Sequence, residues 1–389
     1  MKKTISLVLL IFCIVSCSES NEEILNKIST NLIKLKTIKY VSTLEALDNG
    51  EVVHKDTDTL SFDFTNENQY ILKYHFNSEN GELIYNGAKT FQSINQDKII
   101  ITSENNNVES VNNPLFLTIN PLKQILPKLI ENDNVQILRK NDTIIGDNQY
   151  YVFSFLLEKR YIDWIASEFK EGIDYDSEYF LLADKTNYLP YKIISPNGKQ
   201  GTVSRTIENI ELDSQFNDKL WSGENLPKDY AFFTKKEYRE NRENNMITNL
   251  GKKLTDWELP ELKNGTFVNP SKLKGNVILL EFWFKNCGGC VMAIPSMNKI
   301  KTKFKGDNFK IYGVEFIENH SKDNLEKYIN EQNILYPSLY KGKTIASNFG
   351  IRSAPTFMIV DKNGTIIHIK SGFSKENMDE INDIIETNL

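Results

Sequence analysis

From Tyr40 to Ile194 the chain alternates apolar and polar positions in short runs. This period-two pattern predicts strands at Tyr40–Leu47, Leu60–Phe64, Tyr70–Phe76, Lys98–Thr102, Val135–Leu138, Tyr150–Leu156, Tyr179–Leu182 and Tyr191–Ile194. Asp48-Asn49-Gly50 and Asn80-Gly81 supply turn chemistry between them. Apolar spacing of three to four residues predicts a helix before Tyr40 and further helices over Pro121–Ile130 and Tyr161–Phe169. Many strands with few helices imply a strongly curved antiparallel sheet or half-barrel over residues 24–230.

The pattern changes after Tyr230. Lys235 to Asn245 is almost wholly charged or polar and cannot bury a face, so residues 231–253 read as a polar linker or a solvated helix. A hairpin turn at Asn264-Gly265 follows. Asn276 to Phe284 is then a continuous apolar run carrying one acid, Glu281, as in a strand covered on both faces. Val291, Ile294, Met297, Ile300 and Phe304 recur at helical spacing. Strands over Phe309–Phe316, Thr356–Val360 and Thr365–Ile369 and helices over Lys322–Glu331 and from Ser374 to about Glu386 complete the second domain, residues 254–389. The expected fold class is therefore mixed α+β and α/β in two domains.

The first residues are a targeting segment rather than part of the fold. Lys2 and Lys3 precede an apolar stretch, Thr4 to Val15, shorter than the ~20 residues of a spanning helix. It ends in Ile14-Val15-Ser16-Cys17, which resembles a bacterial lipobox. That resemblance implies a signal peptide over residues 1–16, a lipid on Cys17 and a cell-envelope location, periplasm-facing or at the outer membrane. An ordinary signal peptide cut nearby is the competing reading. Residues 17–23 read as a solvated tether. Lys2 and Lys3 leave with the peptide, so 44 basic residues face 52 acidic ones and the mature charge is −8. No basic field for nucleic acid exists.

The cysteine count now carries meaning. Cys13 leaves with the signal peptide, and the lipobox resemblance implies that Cys17 is lipidated, so only Cys287 and Cys290 remain in the body. Two cysteines three positions apart form one local pair, not a disulfide framework. They stand where a buried strand turns into a helix. The first-turn N–H groups and the helix dipole stabilise an anion there and lower a thiol pKa from about 8.5 into the range of roughly 3.5–7.5. Cys287 is expected to be exposed and nucleophilic, and Cys290, one turn inward, to resolve the mixed disulfide. Gly288 and Gly289 leave the approach open. No cofactor is required by this chemistry.

Residues from about Leu254 to the C-terminus resemble the TlpA/ResA branch of thioredoxin-like proteins, which are membrane-anchored extracytoplasmic oxidoreductases. The resemblance rests on Leu273-Lys274-Gly275-Asn276 leading into the core strand, on Phe282-Trp283 before Cys287 and Cys290, on Ser353-Ala354-Pro355-Thr356-Phe357, and on the hairpin from Phe357 through Gly364. It implies a thioredoxin fold and a cis-proline loop at Pro355. It also implies protein thiols or disulfides as partners, with a membrane electron donor or acceptor. An acid near the cysteines is implied as well: Glu318 by its place, with Glu315 as competitor. The chain departs from the family at Asn286, where a Trp is usual, and at Gly289, where a Pro is usual.

The N-terminal domain resembles the LolA-like half-barrels that bind acyl chains. The features are Thr37-Ile38-Lys39-Tyr40 after a helix, Tyr85-Asn86-Gly87, Ala183 through Pro190, and Leu226-Pro227-Lys228-Asp229-Tyr230. An unrelated β-rich domain fits the same residues.

Other chemistries were weighed on the same residues. A zinc half-site would need a second ligand pair, and the four His (His54, His75, His320, His368) are dispersed. A copper site would draw on His368 or His320. A thiol peroxidase carries Thr three residues before its reactive Cys, where this chain has Phe284. Lys285, beside Cys287, reads as a surface lysine, with support of the thiolate as the competing reading, and Trp283 reads as core packing under the site. The alternative to an enzyme is a lipid- or peptide-binding lipoprotein whose thioredoxin-like domain is a docking module.

Overall fold

The computed structural model describes residues 19–65, 72–104, 111–199, 201–306 and 308–389. Cys17 and the signal segment lie outside them. By packing, the chain divides into two units that are not contiguous in sequence. One comprises Met1–Leu44, Thr57–Phe76 and Asn105–Trp221; the other comprises Glu45–Asp56, Asn77–Glu104 and Ser222–Leu389. This replaces a single boundary near residue 230.

In chain order the elements begin with helix α1 (Asn21–Ile33) and strands β1 (Thr37–Asp48), β2 (Glu51–Asp63), β3 (Lys73–Ser78), β4 (Gly81–Tyr85), β5 (Lys89–Ile94) and β6 (Ile99–Glu104). Helix α2 (Ile119–Ile130) precedes β7 (Val135–Arg139), β8 (Thr143–Ile145), β9 (Asn148–Leu157), β10 (Arg160–Asp163), β11 (Glu168–Glu171), β12 (Ser177–Asp184), β13 (Pro190–Asn197) and β14 (Gly201–Leu212). The short helix α3 (Lys219–Ser222) leads to β15 (Ala231–Thr234) and α4 (Lys235–Ile247).

The first unit is built on strands in the hydrogen-bonded order β3-β2-β1-β14-β13-β12-β9-β7, an order that does not close into a barrel. Its core is aromatic, with Tyr40, Phe62, Tyr74 and Phe153 buried. The apolar faces of α1 (Ile24, Leu25, Ile28, Leu32) and α2 (Leu122, Ile125, Leu126, Leu129) are buried, and the two helices pack together. The tether reading fails from Ser20 onward. Ser20 is the N-cap of α1 and forms a reciprocal capping box with Glu23, while Tyr188 Oη donates to Glu19 at 2.8 Å.

Tyr161–Phe169 is not helical. It is the hairpin β10–β11, with Ile162 paired to Phe169. The Asp163 carboxylate accepts from the N–H groups of Ile165 and Ala166, and Ser167 takes a positive φ, so a side chain supplies the turn that the apolar spacing masked.

The second unit holds the run of hydrogen-bonded strands β15-β6-β5-β4, in which β15 runs parallel to β6. Residues expected as linker are thus partly strand, and the charged stretch is α4, capped by Thr234 and Glu237. The remaining elements are β16 (Leu259–Pro260), β17 (Phe267–Val268), β18 (Val277–Trp283), α5 (Gly288–Lys303), β19 (Phe309–Glu315), α6 (Lys322–Glu331), β20 (Ser338–Leu339), α7 (Lys343–Asn348), β21 (Thr356–Val360), β22 (Ile366–Ser371) and α8 (Lys375–Asn388).

These last strands form a sheet in the order β20-β19-β18-β21-β22. β20, β19 and β18 are parallel, and β21 and β22 are antiparallel additions. β18 sits in the middle and all seven of its residues are buried. Val277, Leu279 and Trp283 join one core, with Met297 and Ile300 of α5, Leu325 and Tyr328 of α6 and Ile381 of α8. Ile278, Leu280 and Phe282 join the other, with Ile345 and Ala346 of α7. Two covered faces explain the unbroken apolar run. Three parallel strands with a crossover helix, extended by an antiparallel hairpin, are the thioredoxin arrangement.

Candidate active site

β18 ends at Trp283, and the chain turns through Lys285 and Asn286, the latter at φ 65°, into α5. Cys287 is the N-cap of α5: its backbone is extended, and its sulfur accepts the N–H of Cys290 at 3.2 Å. One of the helix's otherwise unpaired first-turn donors is therefore aimed at the sulfur, which is the geometry that favours a thiolate. Cys287 and Cys290 are joined as a disulfide, with their Cα atoms 5.2 Å apart.

Pro355 closes the site from the opposite side. The Ala354–Pro355 peptide is cis. Phe282 of β18 pairs with Thr356 of β21, which carries Pro355 to the level where β18 gives way to the cysteines. Pro355 packs directly on the motif, since a Cβ built on Gly289 would lie 2.9 Å from its Cδ. Gly289 is thus needed for close approach, a role its spacing alone does not reveal. Gly288 faces open space.

Cys287 is not exposed in this state, as the sequence suggested it would be. It is only 5% accessible, and Cys290 is 4% accessible. The Cys287 sulfur is bonded to Cys290, and Pro355 packs on the adjoining Gly289. Just beyond Cys290 on the same helix, Val291 and Met292 are exposed.

One buried acid lies on the strand that leads to the cysteines: Glu281, whose hydrogen-bond partner Tyr336 belongs to the core that holds them. Glu281 lies on the same face of β18 as Trp283, which joins that core. It is 1% accessible. Tyr336 Oη donates to its Oε2 at 2.5 Å, and its Oε1 has no partner among the described residues. Burial raises its pKa to about 7, against the lowering effect of the Tyr336 hydrogen bond. The available signal was a single carboxylate inside an otherwise apolar strand.

Glu318 does not join this site. It is exposed, stands at φ 63°, and accepts the N–H of Lys343 at 2.9 Å, so it shapes the approach to α7. Its competitor Glu315 is buried and accepts the N–H groups of Ile317 and Glu318. Burial raises its pKa, and those two bonds oppose the rise. These bonds tie Glu315 to the loop after β19.

Lys285 is not a surface lysine. Its side chain is 7% accessible, and its Nζ bonds Asp48 and Asn324. Trp283 packs in the core, stacked on Tyr328 with centroids 5.8 Å apart. His320 lies beside Asp48 and His368 beside Glu380. Burial lowers both imidazole pKa values. No cluster of metal-ligating side chains occurs among the described residues.

Residues 250–369 match the model of the AhpC/TSA family. The thiol-disulfide oxidoreductase ResA of Bacillus thuringiensis subsp. konkukian is 26% identical over 152 residues, 39% of this chain and 81% of its own length. The thioredoxin-like protein YneN of Bacillus subtilis is 27% identical over 129 residues, 32% of this chain and 75% of its own. A thiol:disulfide interchange protein DsbE from Chlorobium tepidum, of known structure, is 24% identical and covers 36% of this chain and 96% of its own, with a TM-score of 0.33. The C-terminal region of this chain is thus an AhpC/TSA-like, thioredoxin-like domain similar in sequence to the thiol–disulfide oxidoreductase ResA.

Proposed function

We propose that this protein is an extracytoplasmic thiol–disulfide oxidoreductase, tethered to the membrane by a lipid on Cys17, that exchanges electrons with protein disulfides through Cys287 and Cys290. The observation that carries the reading is the sulfur of Cys287 at the N-cap of α5, bonded to Cys290 and packed under a cis-proline.

In the reducing direction the Cys287 thiolate attacks one sulfur of a substrate disulfide. The substrate S–S bond breaks, and its other sulfur leaves as a thiolate that takes up a proton. Cys290 then loses its proton and attacks the Cys287 sulfur. This forms the Cys287–Cys290 disulfide and releases the second substrate thiol. Two electrons and two protons pass to the substrate. Glu281 is suited to accept the Cys290 proton, because a carboxyl titrating near 7 exchanges protons readily at neutral pH. Val291 and Met292 offer the incoming polypeptide an apolar rest beside the disulfide. A dithiol donor in the membrane regenerates the reduced pair.

Replacing Cys290 by Ala in the reduced protein tests this reading. The variant accumulates a mixed disulfide between Cys287 and a disulfide-bonded substrate protein, seen as a thiol-labile mass increase. Absence of any adduct, with Cys287 accessible to alkylation, contradicts it.

The peroxidase alternative finds no support at Phe284, which is half-buried against both cores. A binding role for the first unit has one observation in its favour, a cavity of about 590 Å³ lined by Phe116, Tyr161, Trp164, Tyr175 and Tyr179. That volume suits a small ligand.

A further inference from the structure

The hairpin tip between β1 and β2 packs in the same unit as the cysteines. Asn49 and Gly50 both take positive φ, at 51° and 82°, which gives a tight two-residue turn with Asp48 and Glu51 at its shoulders. The tip is held at the N-terminus of α6. Ser321 Oγ donates to Glu51 Oε1 at 2.6 Å, and Ser321 N–H donates to Glu51 Oε2 at 3.3 Å. Asn324 Nδ2 donates to the Asp48 carbonyl and to Glu51 Oε2, each at 3.3 Å. Lys327 Nζ donates to Asn49 Oδ1 at 2.9 Å. A carboxylate at a helix N-terminus is electrostatically favoured.

The Asp48 carboxylate reaches past this anchor to Lys285, two residues before Cys287. Both side chains are nearly buried, Lys285 at 7% and Asp48 at 14%. His320 Nε2 stands 3.4 Å from the same carboxylate, and its Nδ1 has no partner among the described residues. The other charged and titratable groups facing the pair are Glu51, Lys327 and Tyr328. Glu281 lies on the same face of β18 as Trp283, and Trp283 joins the core that holds the cysteines.

We propose that Asp48 is a positioning residue for Cys287. It holds Lys285, and so the loop leading into the N-cap cysteine, while cancelling the charge of Lys285 close to the sulfur. This rests on the exchange reading of the Cys287–Cys290 pair. A segment far away in sequence thereby sets how readily Cys287 ionises. With Asp48 in place the loop presents no net charge. Without it one ammonium remains, and the thiolate becomes more stable. A single uncompensated charge within about 10 Å, at an effective dielectric near 20, moves a thiol by about one pH unit.

The test is the pH dependence of Cys287 alkylation by iodoacetamide in the reduced full-length protein, read site by site by mass spectrometry. Asp48→Asn is expected to lower the Cys287 pKa by about one unit and Lys285→Met to raise it by a similar amount. The double variant returns near the wild-type value, as does the charge-conserving Asp48→Glu. Shifts of the same sign in both single variants, or no shift in either, overturn the proposal, because a merely structural contact has no reason to give opposite signs. Should Asp48→Asn not fold, Lys285→Met decides alone: a rise supports the proposal and an unchanged value overturns it. Redox titration of the wild-type sample separates the two readings. A missing reversible couple removes the exchange function and leaves the alkylation result standing.

Discussion

Glu281 places a titrating proton inside the core. Its folded pKa of about 7 lies above the ordinary carboxyl value of 4.5, so the folded state retains a proton that the unfolded state gives up between those two values. Stability from this group is therefore fully present below about pH 4.5 and is lost as pH rises through 7. The loss reaches up to about 3 kcal/mol over that interval. Urea unfolding of the wild type and of Glu281→Gln at pH 5 and pH 8 checks this. The wild type should lose stability between the two values and the variant should lose far less. The same variant should slow oxidation of the dithiol by a substrate disulfide by about a hundredfold or more, since a positioned proton acceptor contributes roughly 10²–10⁴. An unchanged rate would assign Glu281 to packing alone. The cysteines and Pro355 were legible because their meaning lies in short spacing. The burial of Glu281 was not legible, because burial is a property of the folded sheet. Glu281 stood in plain view in an apolar run, whereas Glu318 and Glu315 sat where the family resemblance directed attention. Lys285 was misread for the same reason, since its partner Asp48 is far away in sequence.

Elements in the second unit follow their local signals closely. Ser374 caps α8 by accepting the N–H of Asn377, as a Ser before an apolar-periodic run should. Ser374→Ala should cost about 1 kcal/mol, read as a fall in the urea midpoint with an unchanged slope. Gly342 matters for a reason no propensity conveys. A Cβ there would lie 2.5 Å from Val314 Cγ1 and 2.6 Å from the Glu315 carbonyl. Gly342→Ala should therefore destabilise by about 1–3 kcal/mol, and a neutral result would show that β19 can yield. Where side chains rather than periodicity decide, the sequence misled. Asp163 turns the Tyr161–Phe169 segment into a hairpin. The short strand β20 and helix α7 carry too few residues to show a period, and β15 exists only because β6 lies beside it.

At the scale of the molecule, the second unit gathers residues from three stretches of chain, including the β1–β2 tip and β4 to β6. Such long-range assembly leaves no trace in local composition, which is why a single boundary near residue 230 looked natural. Arg352, beside the cis-proline loop, forms a two-pronged ion pair with Asp97, so one of the distant stretches reaches the far side of the site as well. The proposed lipid anchor belongs to this scale too. Cys17→Ala should move the expressed protein from the membrane fraction to the soluble fraction of the cell envelope, read by fractionation and immunoblot. Retention in the membrane would assign the attachment to something other than the lipid.

The central claim is that Cys287 and Cys290 form a working redox couple. The most direct measurement is redox titration of the full-length protein in detergent against a glutathione or dithiothreitol buffer series, scored by thiol labelling, with Cys290→Ala as control. The expected result is a reversible two-electron couple with a potential within about −270 to −120 mV, the span of thioredoxin-type and oxidant-type pairs. A pair that does not cycle reversibly, or that Cys290→Ala leaves unchanged, would contradict it.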